Sequence, residues 1–344
     1  MAARTAVLLV GGLGTRMHPL TLTRPKHLLP VGGVPVLDLQ LRRLSEVGVR
    51  RVALATARHA DLVARHVAAH PVTGLEVVIS DEGTPLGTGG GLLAALDVLA
   101  ADADEPVAIV NGDLLTGHDL RAQTAACSSG VDVVLHVRAA ADPAPFGTVD
   151  VAPDGRHVIG FREKVPGPAG TLVNAGTYVV RPRIVAGRAN GREQSWERDL
   201  LPALIDDGAE VIAHRDDAWC ADIGSPAALL AATRAALDGT ARSALPQDFD
   251  PATAISPSTT LEEGALLEDS TTGTAVHVAA HAVVRGCVLL DGVHVGAGAQ
   301  ITDCVIGEGA VIDDGVTLRG VTIADGARVR ADQDAAADEG STTR

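Results

Sequence analysis

This 344-residue chain has few lysines, few aromatic residues and no excess of positive charge. Lys26 and Lys164 are the two lysines among 28 basic residues, and Phe, Trp and Tyr together make up 2% of the sequence. The formal net charge of −15 argues against binding to nucleic acid or to an anionic membrane, because such partners need a basic face that displaces counterions. A phosphate ligand must therefore be bound by a few local cations or by a metal ion.

Cysteine and long hydrophobic runs are scarce as well. The four cysteines show neither CxxC nor Cys/His spacing, so neither a zinc site nor a disulfide framework is indicated. The N-terminal run AVLLV is too short for a signal peptide or a bilayer span, and a soluble cytoplasmic protein is expected. Because the chain otherwise uses arginine, its two lysines indicate positions that need a compact ammonium and not a planar fork.

Short apolar runs alternate with amphipathic segments through the first 240 residues. Strands are predicted at 4–10, 50–56, 75–80 and 106–111, and helices at 36–48 and 90–100. This alternation predicts an α/β domain over residues 1–240, with a Rossmann-like, mostly parallel sheet covered on both faces. Ligands bind such sheets at the carboxyl ends of the strands, where the runs VGGLGTR and VNGD lie.

A different periodicity follows towards the C-terminus. Residues 241–258 are rich in proline and small polar residues and are predicted to be a linker. Branched aliphatic residues then recur every six positions, and each series is displaced by 17 from the one before. This hexapeptide pattern predicts a short left-handed parallel β-helix over residues 259–331, with three short faces per coil.

Two further expectations concern this C-terminal region. Cys287 and Cys304 are also 17 residues apart, so they are expected to stack inside neighbouring coils. Residues 332–344 are expected to form a disordered tail.

The loop after the first predicted strand is the most unusual part of the chain. Its sequence VGGLGTRMHPLTLTRPKHLLP begins like a nucleotide-binding turn, but Met17 stands where a dinucleotide fingerprint needs its third glycine, and the GK[ST] of a P-loop is missing. A connection of about 25 residues with three prolines exceeds ordinary βα loops, and long structured loops are usually functional. The amides of its glycine turn can bind phosphate oxygens, and Arg16 and Lys26 add two cations.

This run resembles the signature GGxGTRLxPLTxxxPKxLLPV of the sugar-1-phosphate nucleotidyltransferases, the nucleotide-diphosphate-sugar pyrophosphorylase family, and most resembles its mannose-1-phosphate guanylyltransferase-like members. Met17 replaces the usual leucine. The family's other motifs follow in order: PLGTGG (85–90), NGD (111–113), FREK (161–164, followed by valine instead of the usual proline), NAGTY (174–178), WERD (196–199) and WCADIGSP (219–226). The resemblance extends from residue 5 to residue ~238 and, with the hexapeptide coils, covers most of the chain. In the last motif, Ser225 and Pro226 are also expected to be the N-cap and first residue of a helix.

The resemblance implies a reaction in which a sugar 1-phosphate oxygen attacks the α-phosphorus of a nucleoside triphosphate and expels pyrophosphate. The nucleophile is already anionic, so positioning and cationic stabilisation carry the catalysis. The family's pattern assigns the following residues: catalytic Arg16, Lys26 and Asp113; nucleotide-binding Gly11, Gly12, Gly14, Thr15, Glu82 and Gly87; sugar-phosphate-binding Gly147, Glu163, Lys164 and Asn174; and, as ligands of Mg²⁺, Asp113 and Asp222.

The base is less strongly indicated than the reaction. Glu82 precedes PLGTGG, where the family contacts the Watson–Crick edge. Guanine offers two adjacent donors that a carboxylate accepts together, whereas thymine suits an amide better. The expected substrates are therefore GTP and a mannose-1-phosphate-like acceptor, with a glucose-1-phosphate thymidylyltransferase or a cyclitol-1-phosphate nucleotidyltransferase as alternatives. Glu82 could instead be a solvated loop charge.

Two functions of other classes are also compatible with parts of the sequence. A regulatory paralogue could bind a nucleotide sugar without making it, but the joint presence of the assigned cations and carboxylates argues against that. The coils could instead form a hexapeptide acyltransferase with His277, His281 or His294 as its base. The coils are few and turn histidines usually face solvent, so a structural or oligomerising role, and a homo-oligomer, are expected.

Overall fold

The structure is a computed structural model that describes residues 3–331, and these residues divide into two compact units. We call the first the sheet unit, which contains residues 3–13 and 40–220, and the second the β-helix unit, which contains residues 14–39 and 221–331. Among the described residues, no helix has the length and apolar character that a membrane crossing requires. The predicted disordered tail, residues 332–344, lies outside the described residues.

Six α-helices and 13 strands precede the C-terminal coils within the described residues. The helices are α1 (Val36–Val47), α2 (Ala60–Ala69), α3 (Gly87–Leu99), α4 (Leu120–Ala126), α5 (Leu201–Asp206) and α6 (Pro226–Leu237). The strands are β1 (Thr5–Leu9), β2 (Pro30–Val31), β3 (Val34–Pro35), β4 (Arg51–Thr56), β5 (Glu76–Asp81), β6 (Val107–Asn111), β7 (Leu114–Thr116), β8 (Val133–Ala140), β9 (Gly147–Val151), β10 (Val158–Glu163), β11 (Thr171–Val180), β12 (Val211–Arg215) and β13 (Cys220–Asp222). All six predicted elements are present, and α3, which begins three residues early, shows the largest boundary difference.

A nine-stranded sheet forms the centre of the sheet unit. Its main order is β10-β9-β11-β6-β1-β4-β5, while β8 pairs with β11 and with β12. Strand β1 is parallel to both β4 and β6, and β4 is parallel to β5, which confirms the Rossmann-like α/β fold. The sheet also contains antiparallel pairs that were not predicted from the sequence, among strands β6, β8, β9, β10 and β11.

The register of the parallel strands places two motifs at one edge of the sheet. Leu9 ends β1 and pairs with Asn111, which ends β6. The amide of Gly112 donates to the carbonyl of Leu9 at 2.9 Å, so the glycine turn and the NGD turn start side by side. The buried face behind them is filled by β1, β6, α3 and a π-helix at Trp196–Leu200, through side chains such as Ile109, Leu92 and Trp196.

Thirteen short strands form the coils of the β-helix unit. In chain order they are β14 (Thr260–Leu261), β15 (Leu266–Glu268), β16 (Thr271–Thr272), β17 (His277–Val278), β18 (Val283–Arg285), β19 (Val288–Leu289), β20 (His294–Val295), β21 (Gln300–Thr302), β22 (Val305–Ile306), β23 (Val311–Ile312), β24 (Thr317–Arg319), β25 (Thr322–Ile323) and β26 (Arg328–Val329). Every third strand stacks in parallel on the same face, giving three sheets. Leu289 pairs with Ile306, and Ile306 with Ile323, so the 17-residue coil and the β-helix are confirmed.

The expected stacking of Cys287 and Cys304 in neighbouring coils is also confirmed. All four cysteines are free thiols. Cys287 and Cys304 are buried in neighbouring coils, and the amide of Cys304 lies 3.4 Å from Cys287 Sγ.

The β-helix unit also contains the loop of residues 14–39, helix α6 and residues 241–258. The Phe249 ring lies against Gly32, where a Cβ atom would approach the ring to 2.7 Å. Arg234 of α6 makes an ion pair of 2.5 Å with Asp303 of the coils. Residues 241–258 contain two 3₁₀ turns, Arg242–Ala244 and Pro251–Ala254. The domain boundaries drawn from the sequence remain a proposal.

Candidate active site

Glu82 lies against the first glycine turn in the sheet unit. A Cβ atom on Gly11 would approach Glu82 Oε1 to 3.1 Å, and one on Gly91 would overlap the same oxygen. Glu82 Oε2 accepts a hydrogen bond of 2.6 Å from the amide of Leu86. Burial raises the pKa of Glu82, which the Leu86 amide opposes and the charge of Asp81 reinforces. The Glu82 side chain is thus half-buried and held by a hydrogen bond, unlike a charge on a solvated loop.

The PLGTGG turn is tied to the segment before the π-helix. Gly87 has a φ of +75°, and a Cβ atom there would overlap the carbonyl oxygen of Gln194. The amides of Gly89 and Gly90 donate to that carbonyl at 2.8 and 3.2 Å. Gly87 is therefore required by the packing of the turn, whatever it contributes to a ligand.

Glu197 joins three parts of the sheet unit, although no role was predicted for it from the sequence. It accepts hydrogen bonds from Thr88 Oγ1 at 2.8 Å, from the Tyr178 hydroxyl at 3.2 Å and from Ser195 Oγ at 3.2 Å. Its place in the WERD motif, matched to the family's FExD-like segment, was the signal that could have identified it. The carboxylate connects the PLGTGG turn to the NAGTY strand.

Asn174 is presented by an irregularity in β11. The register between β11 and β8 shifts between Asn174 and Tyr178, and Gly176 inside this bulge has a φ of +73°. Asn174 Oδ1 accepts from the Gly176 amide at 3.0 Å, and Asn174 Nδ2 donates to the Tyr178 hydroxyl at 2.6 Å. The bulge therefore fixes the amide group of Asn174, which alternating strand geometry alone would not do.

Gly147, Glu163 and Lys164 lie together where β9 pairs with β10. A Cβ atom on Gly147 would overlap Phe161 Cζ and approach Glu163 Oε2 to 2.8 Å. Burial raises the pKa of Glu163 and the charge of Glu197 adds to this, while Lys164 acts in the opposite direction. Lys164 Nζ lies 3.8 Å from Glu163 Oε1, with 68% of its side chain exposed, so the ammonium is accessible.

Asp113 follows a turn that is held from two sides. Gln40 Nε2 donates to the carbonyl oxygens of Asn111 and Leu114 at 2.9 and 2.7 Å. A Cβ atom on Gly112 would approach Val10 Cγ1 to 2.5 Å, so the turn needs glycine. Asp113 itself is half-buried.

The β-helix unit brings Arg16 and Asp222 together. Arg16 Nη2 lies 3.8 Å from Asp222 Oδ2, and the two side chains are 69% and 47% exposed. Gly224 allows this approach, since a Cβ atom there would come within 2.5 Å of Arg16 Nη2 and 2.8 Å of Asp222 Oδ1. Ser225 caps α6 by accepting from the Ala228 amide at 3.2 Å, and Pro226 is its first residue, as expected.

The loop of residues 14–39 contains three short 3₁₀ turns, which β2, β3 and the start of α1 follow. Gly14, with a φ of +63°, precedes the turn Thr15–Met17. Thr21 Oγ1 donates a hydrogen bond of 2.7 Å to the carbonyl oxygen of Gly14. Lys26 begins the third turn directly after Pro25, and a Cβ atom on Gly14 would lie 3.5 Å from Lys26 Cβ. Thr15, in the β-helix unit, and Gly12, in the sheet unit, are both exposed.

Within residues 3–331, no group of three or more His, Cys, Asp or Glu side chains could hold a metal ion by itself. A metal bound here would need ligands from the substrate or from water. Mg²⁺ binds in this way, through one or two carboxylates plus substrate phosphates. The assignment of Asp113, in the sheet unit, and Asp222, in the β-helix unit, as metal ligands stays a prediction.

Comparison with protein-family models gives two matches that together cover most of the chain. Residues 5–239 match the model described as nucleotidyl transferase, and residues 249–338 match the model described as the GMPPB C-terminal domain. The first match alone exceeds half of the chain. Proteins of the first family commonly use a divalent metal ion.

Several curated proteins resemble the chain over much of its length. It is 34% identical over 292 residues to a mannose-1-phosphate guanylyltransferase of Mycobacterium tuberculosis, which covers 84% of this chain and 80% of that protein. It is 32% identical to a mannose-1-phosphate guanyltransferase of Neurospora crassa and 32% identical to a mannose-1-phosphate guanylyltransferase catalytic subunit beta of Danio rerio. The latter two alignments cover 66% and 64% of this chain, and 63% and 61% of the relatives.

Among solved structures, HddC from Yersinia pseudotuberculosis complexed with GMP-PN superposes with a TM-score of 0.58 at 28% sequence identity. The superposition covers 67% of this chain and 98% of that one.

Proposed function

This chain belongs to the nucleotidyl transferase family, and from that premise we propose that it transfers the guanylyl group of GTP to mannose 1-phosphate, forming GDP-mannose and pyrophosphate. The observation that carries the proposal is the 34% identity, over 84% of the chain, to a protein named for that reaction. In the proposed step, a phosphate oxygen of the sugar 1-phosphate forms a bond to the α-phosphorus. The bond from the α-phosphorus to the bridging oxygen breaks, and pyrophosphate leaves with the electron pair.

Cations assigned to the nucleotide carry the electrostatic part of this reaction. Arg16 holds the β- and γ-phosphates, and its exposed guanidinium is available for them. Lys26 lies against the reacting phosphates and offsets charge on the leaving pyrophosphate. The amides around Gly11, Gly12, Gly14 and Thr15 bind phosphate oxygens in the manner of other glycine turns.

The acceptor is bound by the group around β9, β10 and β11. The accessible ammonium of Lys164 binds the phosphate of the sugar 1-phosphate. Glu163 and Asn174 accept and donate hydrogen bonds at the hydroxyl groups of the sugar. The glycine at position 147 leaves the space into which Glu163 projects. Positioning of this kind replaces a general base, because the nucleophile is already ionised.

Guanine is recognised by Glu82 in this proposal. The carboxylate is held by the Leu86 amide, so its orientation is fixed before a ligand arrives. A carboxylate accepts the two adjacent donors on the Watson–Crick edge of guanine, and thymine offers one. Gly87 keeps the turn that follows Glu82 in its observed conformation.

We also propose that Asp113 and Asp222 bind Mg²⁺. The ion would supply charge neutralisation at the phosphates. Removal of divalent metal with EDTA is then expected to abolish turnover, and Mg²⁺ to restore it. Asp222→Asn is expected to raise the Mg²⁺ concentration needed for half-maximal activity.

The test is a matrix of initial rates of pyrophosphate release with Mg²⁺. GTP, dTTP, UTP, ATP and CTP are each combined with mannose 1-phosphate, glucose 1-phosphate and a cyclitol 1-phosphate, for the wild type and for Glu82→Gln. We expect one productive pair, GTP with mannose 1-phosphate, and a selective loss of the GTP preference in Glu82→Gln. Release with dTTP in the wild type would keep the reaction class and overturn the role of Glu82.

A homo-oligomer and a cytoplasmic location complete the proposal. The first coil exposes Leu261 and Leu266 at 46% and 45%, as expected of a surface that a second copy could cover. Light scattering behind size-exclusion chromatography measures the oligomer directly, and a monomer at micromolar concentration would contradict it.

A further inference from the structure

Arg24, inside the loop of residues 14–39, is bound by two carboxylates of the C-terminal coils. Its Nη2 lies 2.7 Å from Glu308 Oε2 and 2.7 Å from Asp325 Oδ2. Thr23 Oγ1 donates a hydrogen bond to the same oxygen of Asp325. The side chains of Arg24 and Asp325 are 21% and 17% exposed, so this charge-assisted contact is shielded from water far more than a surface ion pair.

The repeat of the coils explains why Asp325 can bind the loop. Turn aspartates accept a hydrogen bond through Oδ1 from the backbone amide 17 residues earlier: Asp291 from Thr274 at 2.6 Å, Asp314 from Ala297 at 2.7 Å and Asp325 from Glu308 at 2.8 Å. This bond orients the carboxylate. At Asp325 the second oxygen then faces Arg24 and Thr23, so the coils present a pre-arranged binding position to the loop.

The carboxylates of Asp325 and Glu308 favour the charged form of Arg24. Burial lowers the pKa of Arg24, but the hydrogen bonds and charges of Asp325 and Glu308 outweigh it and raise the pKa. Without the guanidinium, the carboxylates of Glu308 and Asp325 would be left beside each other, and the side chain of Asp325 has little access to water. The contact therefore depends on a cation at this position.

Arg24 lies close in sequence to the predicted catalytic residues of the loop of residues 14–39, which we call the catalytic loop. Pro25 follows directly, with φ −71° and ψ 145°, and Lys26 begins the next 3₁₀ turn. The proline ring fixes φ, so a fixed Arg24 limits where Lys26 can lie. Arg16 belongs to the same loop, eight residues earlier, and the Thr21 bond to Gly14 ties the intervening turns together.

We propose that Arg24 is a positioning residue: bound to Glu308 and Asp325, it holds the loop in the conformation in which Lys26 and Arg16 act on the phosphates. The inference rests on the proposed function of those two cations. It gives the β-helix a part in catalysis without contact with substrate, in addition to any part in oligomerisation.

The experiment compares Arg24→Ala, Arg24→Lys and Glu308→Gln with a matched control. Arg234→Ala removes another ion pair to the coils, the 2.5 Å contact with Asp303, which does not involve the catalytic loop. For each folded variant, kcat and KM are measured with GTP and mannose 1-phosphate, and hydrogen–deuterium exchange is measured for the amides of residues 14–29.

We expect Arg24→Ala to lower kcat about 10- to 100-fold, because small displacements of catalytic groups cost that much, with the KM for mannose 1-phosphate changed less than about 2-fold. Exchange in residues 14–29 should accelerate. Arg24→Lys, which keeps the charge but not the fork, and Glu308→Gln should fall between Arg24→Ala and the wild type. Arg234→Ala should keep the wild-type kcat and exchange of the loop.

Wild-type kcat and loop exchange in folded Arg24→Ala would overturn the inference, as would an equal loss of kcat in Arg234→Ala. If Arg24→Ala fails to fold, Arg24→Lys and Glu308→Gln decide between the same outcomes. A wild-type protein that makes no GDP-mannose contradicts the proposed function alone. Hydrogen–deuterium exchange of residues 14–29 then still tests whether Arg24 holds the loop, and kcat is measured with the pair of substrates that the rate matrix identifies.

Discussion

Lys26 has its backbone fixed on both sides, by Pro25 before it and by the 3₁₀ turn that it begins. In a chain that uses arginine at nearly every other basic position, this restricted site carries a lysine. An ammonium is a compact point charge, whereas a guanidinium is a planar fork with a different reach. The two side chains are therefore not interchangeable at this position.

Lys26→Ala and Lys26→Arg should both lower kcat, by about 100- to 1,000-fold for alanine, because preorganised charge at the reacting phosphates is lost or displaced. Pyrophosphate release measures the rate, and circular dichroism shows that the fold is kept. Arg65→Ala is the control, since Arg65 makes an exposed ion pair with Asp61 on α2. Near-normal turnover in purified Lys26→Ala would contradict the assignment, and the same holds for Asp113→Ala.

Gly147→Ala should raise the KM for the sugar phosphate and lower the melting temperature. The added Cβ atom would overlap Phe161 and come within 2.8 Å of Glu163 Oε2, so both side chains must move. Gly155→Ala is the control: it has nothing within 4 Å of its Cβ position, but its φ of +70° costs about 1 kcal/mol for alanine. It should lower stability and leave KM unchanged, and equal KM values in the two variants would refute a role for position 147.

At this scale, the sequence predicted the motif residues because each lies in a distinctive run. The resemblance itself is confirmed by the family match over residues 5–239. Glu197 was missed because its importance comes from Thr88 and Tyr178, which are distant in sequence and meet it only in the folded sheet unit. The bracing of Glu82 by Leu86 likewise depends on a local turn that residue types do not specify.

At the scale of elements, strand β8 carries His136, which is buried against His118 from the segment before α4. His136 pairs in register with His214, and the His136 ring stacks on His118 with 4.1 Å between centroids. Burial, with the charge of His136 added, lowers the pKa of His118 to about 3. Burial also lowers the pKa of His136 to about 4, against the opposing hydrogen bond to the carbonyl of Asp216. The folded chain therefore keeps these rings neutral where the unfolded chain would protonate them.

The free energy of unfolding should accordingly fall as the pH drops through about 6.5, and level off below the folded pKa values of about 3 and 4. Each unit of depression contributes about 1.4 kcal/mol per group. Urea midpoints at pH 8, 6.5 and 5 measure the slope, which His118→Gln should reduce. His70→Gln, which changes an exposed ring on the surface, is the control and should keep the wild-type slope. An unchanged slope in His118→Gln would contradict this account.

The elements predicted from the sequence are those with uniform patterns. Strands β1, β4 and β6 are continuous apolar runs because both faces of a parallel sheet are covered, and they were found within a residue or so. Strand β11 was not predicted from the sequence because Asn174 and Gly176 interrupt its apolar pattern at the bulge. The same irregularity that hides the strand holds Asn174 in place.

At the scale of the whole molecule, a regular repeat was easier to predict than the grouping of segments. The 17-residue period specified the stacking of the coils in full, since each coil repeats the same pairing. The membership of the loop of residues 14–39 in the β-helix unit was not foreseen. It depends on contacts such as Arg24 with Glu308, which are 284 residues apart in the sequence.

The most direct test of the central claim is the mass of the product that the purified protein forms from GTP and mannose 1-phosphate with Mg²⁺. The account predicts GDP-mannose and pyrophosphate in equal amounts, and almost none of either from Lys26→Ala under the same conditions. A folded wild-type protein that forms no GDP-mannose, or forms dTDP-glucose from dTTP and glucose 1-phosphate instead, would contradict it.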